Sequence, residues 1–271
     1  MLGTGAPIEG AERVVLHQPS NLNWVMPAEG VEVGKRVLVI TGGEERGHSE
    51  CGYQASDAPY DLVIAADGGL DLAESLNIRP DIVVGDFDSA SPDAVERARG
   101  AGVSVESHPA EKDQTDFALA LQRAVEEGAS EIGVIGGSGG RPDHWLANLA
   151  LLVATARRGI GVEADMGGWC VTVVDPGHPY AEERPAGELM SLLPMHGDVC
   201  GVTTAGLSYP LTDEDLPAGS SRGVSNVSTG GLVHIDVQEG VLLVMRPQQP
   251  GSYRNGSAHR DERSSRDEVS A

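Results

Sequence analysis

The sequence predicts an α/β protein: a mostly parallel, Rossmann-like sheet with helices on both faces, followed by a small all-β, sandwich-like domain. Short apolar strands alternate with helical segments from residue 36 to about residue 175, as in βαβ units. After residue 175 the long helical periods stop, and Gly, Pro and Asp interrupt short apolar strands. The 271 residues are enough to build two such domains.

Five strands and four helices are predicted in the first domain, residues 36–175. The strands are RVLVITGG from Arg36, Leu62–Ala66, Ile82–Gly85, VSVESHP from Val103 and EIGVIGG from Glu131. Each of the last four strands is followed by a helical segment: LDLAESLN (70–77), PDAVERARGAG (92–102), DQTDFALALQRAVEEGA (113–129) and HWLANLALLVATARRG (144–159). Pro92 suits the first turn of its helix and Gly100 the C-terminal end.

The second domain, residues 176–247, is predicted from three apolar stretches without helical spacing. They are GELMSLLPM (187–195), VCGVTTAGLSYPL (199–211) and GGLVHIDVQEGVLLVMRP (230–247). Short strands of this kind build a sandwich or a barrel. Residues 1–35 show no clear periodicity and are interpreted as an N-terminal extension, while residues 248–271 are mostly polar and are predicted to be a disordered tail.

Composition narrows the classes of partner and compartment. The formal net charge of −22 argues against non-specific binding to nucleic acid or to an anionic membrane, which both require basic patches. Cys51, Cys170 and Cys200 show no C-x-x-C spacing and are interpreted as ordinary thiols in a reducing compartment. The N-terminus has no basic and apolar leader, and no apolar run approaches the ~18 residues of a membrane span. We therefore expect a cytoplasmic protein without nucleic-acid or membrane partners.

Glycine and acidic residues follow the predicted strands at the point where each strand ends. They include Asp67 with two glycines, the pair Asp86 and Asp88, and the segments 111–116 and 136–144. In parallel sheets, ligands bind beyond the carboxyl ends of the strands. The pattern therefore predicts that these groups meet at one edge of the sheet.

Asp86 and Asp88 lie two residues apart after an apolar strand. Two like charges this close repel one another unless a cation lies between them, and Mg²⁺ takes carboxylate, phosphate and water oxygens. The alternative is structural: one Asp caps the helix that opens near Ser89 and Pro92, and the other is solvated.

The segment EKDQTDFALAL (111–121) also admits two interpretations. Asp113 as N-cap and Asp116 in the first turn would both stabilise a helix start, through the free N–H groups and the dipole. In the functional interpretation, Lys112 contacts phosphate and Asp116 is a further metal ligand.

The segment GGSGGRPDH (136–144) is neither a Walker A loop nor a G-x-G-x-x-G fingerprint in the proper register. It is either a flexible turn with Asp143 as N-cap, or a backbone cradle for phosphate with Arg141 as a charged clamp. On successive strand ends, the three segments together predict a Mg–nucleotide polyphosphate site.

A family resemblance rests on these residues. AADGG (65–69), GDFDS (85–89), EKDQTDFALAL (111–121) and GGSGGRPDHWLANLALL (136–152) resemble, in this order, the motif set of the thiamine pyrophosphokinase (thiamine diphosphokinase) family. GVTTAGLSYPL (201–211) and GSSRGVSN (219–226) resemble that family's thiamine-binding domain. The resemblance spans about residues 36–246. It implies a homodimer with active sites at the interface, and the reaction ATP + thiamine → thiamine diphosphate + AMP.

The resemblance also implies roles for individual residues. The Mg²⁺ ligands would be Asp86, Asp88 and Asp116. Asp67 would join them or order a water, and either Asp113 or Asp143 would orient the thiamine hydroxyl or accept its proton. The residues assigned to ATP are Lys112, Gln114, Thr115, Gly140, Arg141 and His144, and those assigned to thiamine are Ser221, Ser225 and Asn226.

Two alternatives from other classes remain open at this point. A phosphatase of the haloacid dehalogenase type also places D-x-D after an apolar strand, with Asp86 as nucleophile, but there the Asp normally follows the first strand of the domain. A non-catalytic nucleotide-binding or thiamine-binding protein of the same fold would bind its ligand without releasing AMP.

Overall fold

The structure of the chain, a computed structural model, describes residues 34–43 and 60–248. The predicted extension (1–35) lies outside the described residues except for its last two, and the predicted tail (248–271) except for its first. Cys51 also lies outside them. The mixed α/β architecture predicted from the sequence is confirmed.

Parallel strands form one half of a large sheet. In the described part of the chain they are β1 (Lys35–Thr41), β2 (Leu62–Ala66), β3 (Ile82–Gly85), β4 (Ser104–Ser107), β5 (Ala129–Ile135) and β6 (Gly161–Asp165). Their order across the sheet is β6-β5-β1-β2-β3-β4, with every neighbouring pair parallel. The five predicted strands are confirmed, whereas β6 was not predicted.

Helices cover both faces of these strands, as predicted: α1 (Gly69–Ser75), α2 (Pro92–Gly100), α3 (Asp116–Glu126) and α4 (Pro142–Ala156). Val37 and Val39 of β1 pack with α3 and α4, while Leu38 and Ile40 pack with α1 on the other face. This alternation follows from the two-residue period of a strand. Among the described helices, none is long and apolar enough to cross a membrane.

The helix starts correct three capping interpretations. Thr115 is the N-cap of α3, because its backbone is extended and its Oγ1 accepts a hydrogen bond from Ala118 N (3.2 Å), so the expectation that Asp113 caps this helix is wrong. α4 begins at Pro142, which places Asp143 inside the first turn, where it does not cap the helix. The N-cap of α2 is Ser91, so neither Asp of the D-x-D pair caps it.

The β-rich half is a two-layer sandwich, and one layer continues the parallel sheet. Antiparallel strands extend that sheet in the order β12-β9-β14-β7 next to β6: β7 (Trp169–Val174), β9 (Leu189–Pro194), β12 (Asn226–Val227) and β14 (Leu242–Pro247). The second layer has the order β11-β10-β13-β8: β8 (Tyr180–Arg184), β10 (Val199–Ala205), β11 (Glu214–Leu216) and β13 (Gly231–Asp236). Apolar side chains of both layers form the sandwich core.

A buried cluster of charges connects the two layers. The Glu182 carboxylate accepts a hydrogen bond from the Tyr180 hydroxyl (2.8 Å) and pairs with Arg184 and, at 3.6 Å, with Arg246 of β14. Burial, together with the nearby charge of Glu182, raises the pKa of Glu163 to about 7. The pairing offsets part of the cost of placing charges between the sheets.

Candidate active site

Three aspartates meet at the carboxyl edge of the parallel strands. Asp67 follows β2, Asp86 follows the neighbouring strand β3, and Asp116 is the first residue of α3. One carboxylate oxygen from each lies within 4.8 Å of the others. Because β2 and β3 are hydrogen-bonded neighbours, the residues that follow them are side by side, and α3 supplies the third group.

The backbone around the three aspartates adopts conformations that bring them together. Asp67 and Phe87 both have positive φ angles, 44° and 62°, which are unusual for residues other than glycine. A Cβ at Gly85 would lie 3.1 Å from Asp116 Oδ1 and 3.1 Å from Asp67 Cβ. Glycine at this position therefore lets the two carboxylates approach across the end of β3.

Lys112 lies among the aspartates. Its Nζ is 2.8 Å from Asp86 Oδ2 and 3.0 Å from Asp116 Oδ1. The hydrogen bond from Lys112 lowers the pKa of Asp86. Desolvation alone would lower the pKa of Lys112, but its contacts with Asp86 and Asp116 raise it overall. Burial raises the pKa of Asp67, and hydrogen bonds from Gly68 and Ser89 offset this only in part.

The donor set fits a hard divalent cation. Three carboxylates at this spacing are oxygen ligands of the kind that Mg²⁺ prefers. Asp116 Oδ1 is buried, and the Lys112 ammonium lies 3.0 Å from it. Three carboxylates face a single ammonium here, and a bound divalent cation would balance the remaining negative charge.

Asp88 lies outside this group of three. Its Oδ1 accepts a hydrogen bond from the hydroxyl of Ser89 (2.9 Å), and its backbone N donates to Asp86 Oδ1 (3.2 Å). Asp113 and Gln114 are exposed in the segment before α3. The structure thus brings Asp86 and Asp116 of the predicted ligands together and adds Asp67, which the sequence had left as a ligand or a water-orienting group.

The glycine-rich loop lies at the same edge, between β5 and α4. Four of its glycines, at 136, 137, 139 and 140, have positive φ angles. Gly137 N donates to Gly42 O (3.0 Å), and a Cβ at Gly42 would be 3.5 Å from the backbone of Gly68. The loop after β1 therefore packs between the glycine-rich loop and the residue that follows Asp67.

Arg141 and Asp143 form an exposed ion pair at the end of this loop. Arg141 Nη2 is 2.6 Å from Asp143 Oδ2, and the two side chains are 68% and 63% exposed. The guanidinium lowers the pKa of Asp143 to about 2, so this carboxylate is ionised and only weakly basic while the pair persists. His144 follows in the first turn of α4 and is exposed.

The predicted thiamine segment lies on the sandwich. Ser221 and Ser225 are exposed, whereas Asn226 is buried and its amide is occupied by the backbone of Tyr209, through bonds of 3.0 and 2.8 Å. Asn226 thus holds the backbone of Tyr209 in place. Direct contact of its amide with a ligand stays a prediction. The ring of Tyr209 is 68% exposed beside it.

Ser89 and Asn148 were not predicted from the sequence as residues of the site. Ser89 donates its backbone N–H to Asp67 Oδ1 (3.4 Å) and its hydroxyl to Asp88 Oδ1 (2.9 Å), so it links two of the predicted acidic groups. Asn148 is buried under the glycine-rich loop. A polar residue among Leu and Ala in WLANLALL was the available signal.

Two family models match the chain. "Thiamin pyrophosphokinase, catalytic domain" matches residues 56–164, and "Thiamin pyrophosphokinase, vitamin B1 binding domain" matches residues 180–242, together more than half of the chain. Among curated proteins, thiamine pyrophosphokinase of Bacillus subtilis is 29% identical over 187 residues, which is 69% of this chain and 87% of the relative. Thiamine pyrophosphokinase 1 of Oryza sativa is 26% identical over 159 residues, or 56% and 60% of the two chains.

Solved structures give the same result. A crystal structure of thiamine pyrophosphokinase from Bacillus subtilis has a TM-score of 0.68 at 27% identity and covers 79% of this chain and 100% of its own. One of thiamin pyrophosphokinase from Geobacillus thermodenitrificans has a TM-score of 0.63 at 29% identity, covering 80% and 99%. Sequence models, curated relatives and structures thus agree on one family.

Proposed function

The chain belongs to the thiamine pyrophosphokinase family, and from this premise we propose that it transfers the pyrophosphate group of ATP to the hydroxyl of thiamine, giving thiamine diphosphate and AMP. The observation that carries this proposal is the group of Asp67, Asp86 and Asp116 with Lys112, at the same sheet edge as a glycine-rich loop that ends in Arg141. Such an edge suits a nucleotide with its phosphates.

Asp67, Asp86 and Asp116 would hold Mg²⁺, which supplies charge neutralisation on the phosphates when bound. Asp88, on the same loop, stays a proposed ligand. Lys112 keeps its proton, because two carboxylates raise its pKa overall, and it can therefore present a full positive charge to a phosphate oxygen. Gln114, Thr115, Gly140 and His144 remain proposed ATP contacts.

Arg141 would bind the phosphates in a bidentate manner. To do so it exchanges Asp143 for a phosphate, which requires little free energy because the pair is exposed to water. The hydroxyl of thiamine then attacks the β-phosphorus in line, and AMP leaves. Asp113 or Asp143 is the proposed group that orients this hydroxyl. A loose transition state demands little from a base, which is compatible with the low pKa of Asp143.

The sheet order supports a homodimer in which two copies complete each site. Eight strand spacings separate β12, which begins at Asn226, from β3, which leads to Asp86. At about 4.8 Å per spacing this is roughly 38 Å along the sheet. A thiamine molecule on Ser221 and Ser225 of one copy would therefore lie far from the aspartates of the same copy. We propose that it meets those of a partner copy.

Exposed apolar side chains are available for such an interface. Leu146 of α4 is 57% exposed, and Tyr209 and Val224 in the β-rich half are 68% and 42% exposed. Of these, tyrosine is a residue type that is enriched in contacts between proteins. We also propose two domains, with the bounds 36–175 and 176–247. A cytoplasmic location, where ATP is available, is part of the same proposal.

The two alternatives from the sequence are not favoured, because the family models, relatives and structures agree on the kinase. A haloacid dehalogenase-type phosphatase would form an aspartyl-phosphate on Asp86. Asp86 instead accepts a hydrogen bond from Lys112 and follows the third strand of the described chain. A non-catalytic binding protein would hold ATP or thiamine without AMP release.

AMP formation from Mg–ATP by the purified protein tests the proposal directly. We expect AMP to appear only when thiamine is present, in equal amount to thiamine diphosphate. Binding of ATP and thiamine without AMP would indicate the non-catalytic alternative. Thiamine-independent phosphate release, with label retained on Asp86, would indicate the phosphatase.

Arg141→Ala is expected to lower kcat/KM for ATP by about 100-fold, because a bidentate, charge-assisted contact to phosphate is lost. The melting temperature should change little, since the pair with Asp143 is exposed. Steady-state kinetics with each substrate varied in turn measures the effect. Arg158→Ala, an exposed arginine at the opposite end of α4, is the matched control. Equal kinetics for the two variants would remove Arg141 from the phosphate site.

A further inference from the structure

Asn148 is a buried amide on the side of α4 that packs against the sheet. Its side chain is 8% exposed and stands next to Leu149 and one turn from Leu152, both of which are buried in the main core. Its Nδ2 donates a hydrogen bond to the carbonyl of Gly137 (2.8 Å). A buried polar group at an apolar position requires such a bond, and here the bond reaches the glycine-rich loop.

The glycine-rich loop depends on external contacts for its shape. Gly136, Gly137, Gly139 and Gly140 all have positive φ, and glycine has many alternative conformations of similar free energy. The residue Gly137 is held on both sides: its N–H donates to Gly42 O (3.0 Å), and its carbonyl accepts from Asn148. These two bonds select one arrangement of the loop.

The direction of the Gly137 carbonyl determines the direction of the next N–H group. In a trans peptide the C=O and the following N–H point in opposite directions, and the described chain contains no cis peptide. Because the Gly137 carbonyl points towards Asn148 on α4, the N–H of Ser138 points away from the helix. Ser138 N donates no hydrogen bond to another part of the described backbone, so it is available to an anion.

We propose that Asn148 is a positioning residue for the phosphates of the nucleotide: by holding the Gly137 carbonyl inward, it presents the N–H of Ser138 outward as a phosphate donor. This rests on the proposed function, in which the loop binds ATP. Asn148 itself touches no substrate. Backbone N–H groups of a glycine-rich loop that leads into a helix are well suited to phosphate, and their alignment before binding avoids the cost of ordering the loop.

Asn148→Leu tests the proposal, because leucine has a similar size and cannot donate a hydrogen bond. We expect KM for ATP, and the calorimetric Kd for a non-hydrolysable ATP analogue, to rise about tenfold, as for the loss of one oriented donor. KM for thiamine should stay within about twofold. A rise of equal size for both substrates, or none for ATP, would overturn the proposal.

Thr155→Val is the matched control. Thr155 is also buried on α4, two turns beyond Asn148, and its hydroxyl donates to Leu151 O (2.8 Å). We expect a similar loss of melting temperature for both variants, but a change in ATP binding for Asn148→Leu only. If both variants weaken ATP binding equally, the effect is one of general stability, and the positioning role is wrong.

Hydrogen–deuterium exchange on the wild-type protein tests the same proposal without a mutation. The ATP analogue should slow exchange of the amide of Ser138 by at least about tenfold, because the N–H is then bonded to phosphate. Unchanged exchange at Ser138 in the presence of bound analogue would contradict the proposal. Binding of the analogue needs no turnover, so these results do not depend on the AMP assay. A failure of the kinase function would appear in the AMP assay and not in the binding measurements.

Discussion

Asp86→Asn and Asp116→Asn are each expected to lower kcat by at least about a thousand-fold, because each removes a negative charge from the group that would hold Mg²⁺. The amide keeps the size of the side chain. Both residues lie at the sheet edge outside the apolar core, with side chains 13% and 21% exposed. The fold should therefore persist, with a circular dichroism spectrum like that of the wild type. Thiamine diphosphate formation at saturating substrates measures the loss.

Binding of Mn²⁺ provides a second measurement that does not depend on turnover. Electron paramagnetic resonance of Mn²⁺ should show weaker binding for both variants, whereas Asp93→Asn, an exposed aspartate in the first turn of α2, should bind and react as the wild type does. Near-normal turnover of a folded Asp86→Asn protein would refute the metal assignment.

Asp88→Ala separates the two ligand sets. The sequence predicts Asp88 as a ligand, so its removal should also abolish turnover, while the structure groups Asp67, Asp86 and Asp116 and leaves Asp88 bonded to Ser89. Loss of Mn²⁺ binding in Asp88→Ala would place this carboxylate on the metal. Retained Mn²⁺ binding and turnover would assign it to the local turn.

The sequence predicted which residues lie at the carboxyl edge of the sheet, because the strands there are short apolar runs that end at charged residues. Ile82–Gly85 ends before Asp86 and Leu62–Ala66 ends before Asp67, as predicted. Which carboxylates meet was not predictable in the same way. That depends on the positive φ of Asp67 and Phe87, which turns the chain after each strand, and no spacing of residue types encodes it.

The sequence also did not predict that one large sheet continues from the parallel strands into the β-rich half. The sequence predicted apolar strands in the β-rich half, and strands are present there. Their partners are distant in the chain: β14 (Leu242–Pro247) pairs with β7 (Trp169–Val174), and β7 pairs with β6. The alternation of apolar and polar residues along a strand indicates which face is buried, but it does not indicate which strand lies beside it.

The start of α3 was also predicted wrongly. Asp113 and Thr115 are both good N-cap residues, and only the structure shows that the extended backbone at the helix start is that of Thr115.

Gly136→Ala is expected to destabilise the protein by about 3 kcal/mol or more, the largest effect on stability that we predict for a single methyl group. The φ angle of Gly136 is 96°, and a Cβ there would lie 2.0 Å from the carbonyl oxygen of Thr41 and 3.0 Å from its carbon. These are backbone atoms at the end of β1, so no rotation of a side chain can remove the clash. The free energy of unfolding from urea denaturation measures the effect.

Gly159→Ala separates the cost of the clash with Thr41 from the cost of the positive φ. Gly159 also has a positive φ, 78°, but apart from Gly159 itself and its two chain neighbours no described residue has an atom within 4 Å of the Cβ position. The control should therefore lose only about 1 to 2 kcal/mol, for the left-handed conformation alone. Equal losses would mean that the contact with Thr41 is unimportant. A larger loss for Gly136→Ala, accompanied by weaker binding of the ATP analogue, would show that close packing of β1 against the glycine-rich loop determines the shape of the phosphate site, because Thr41 leads directly into Gly42, which holds Gly137.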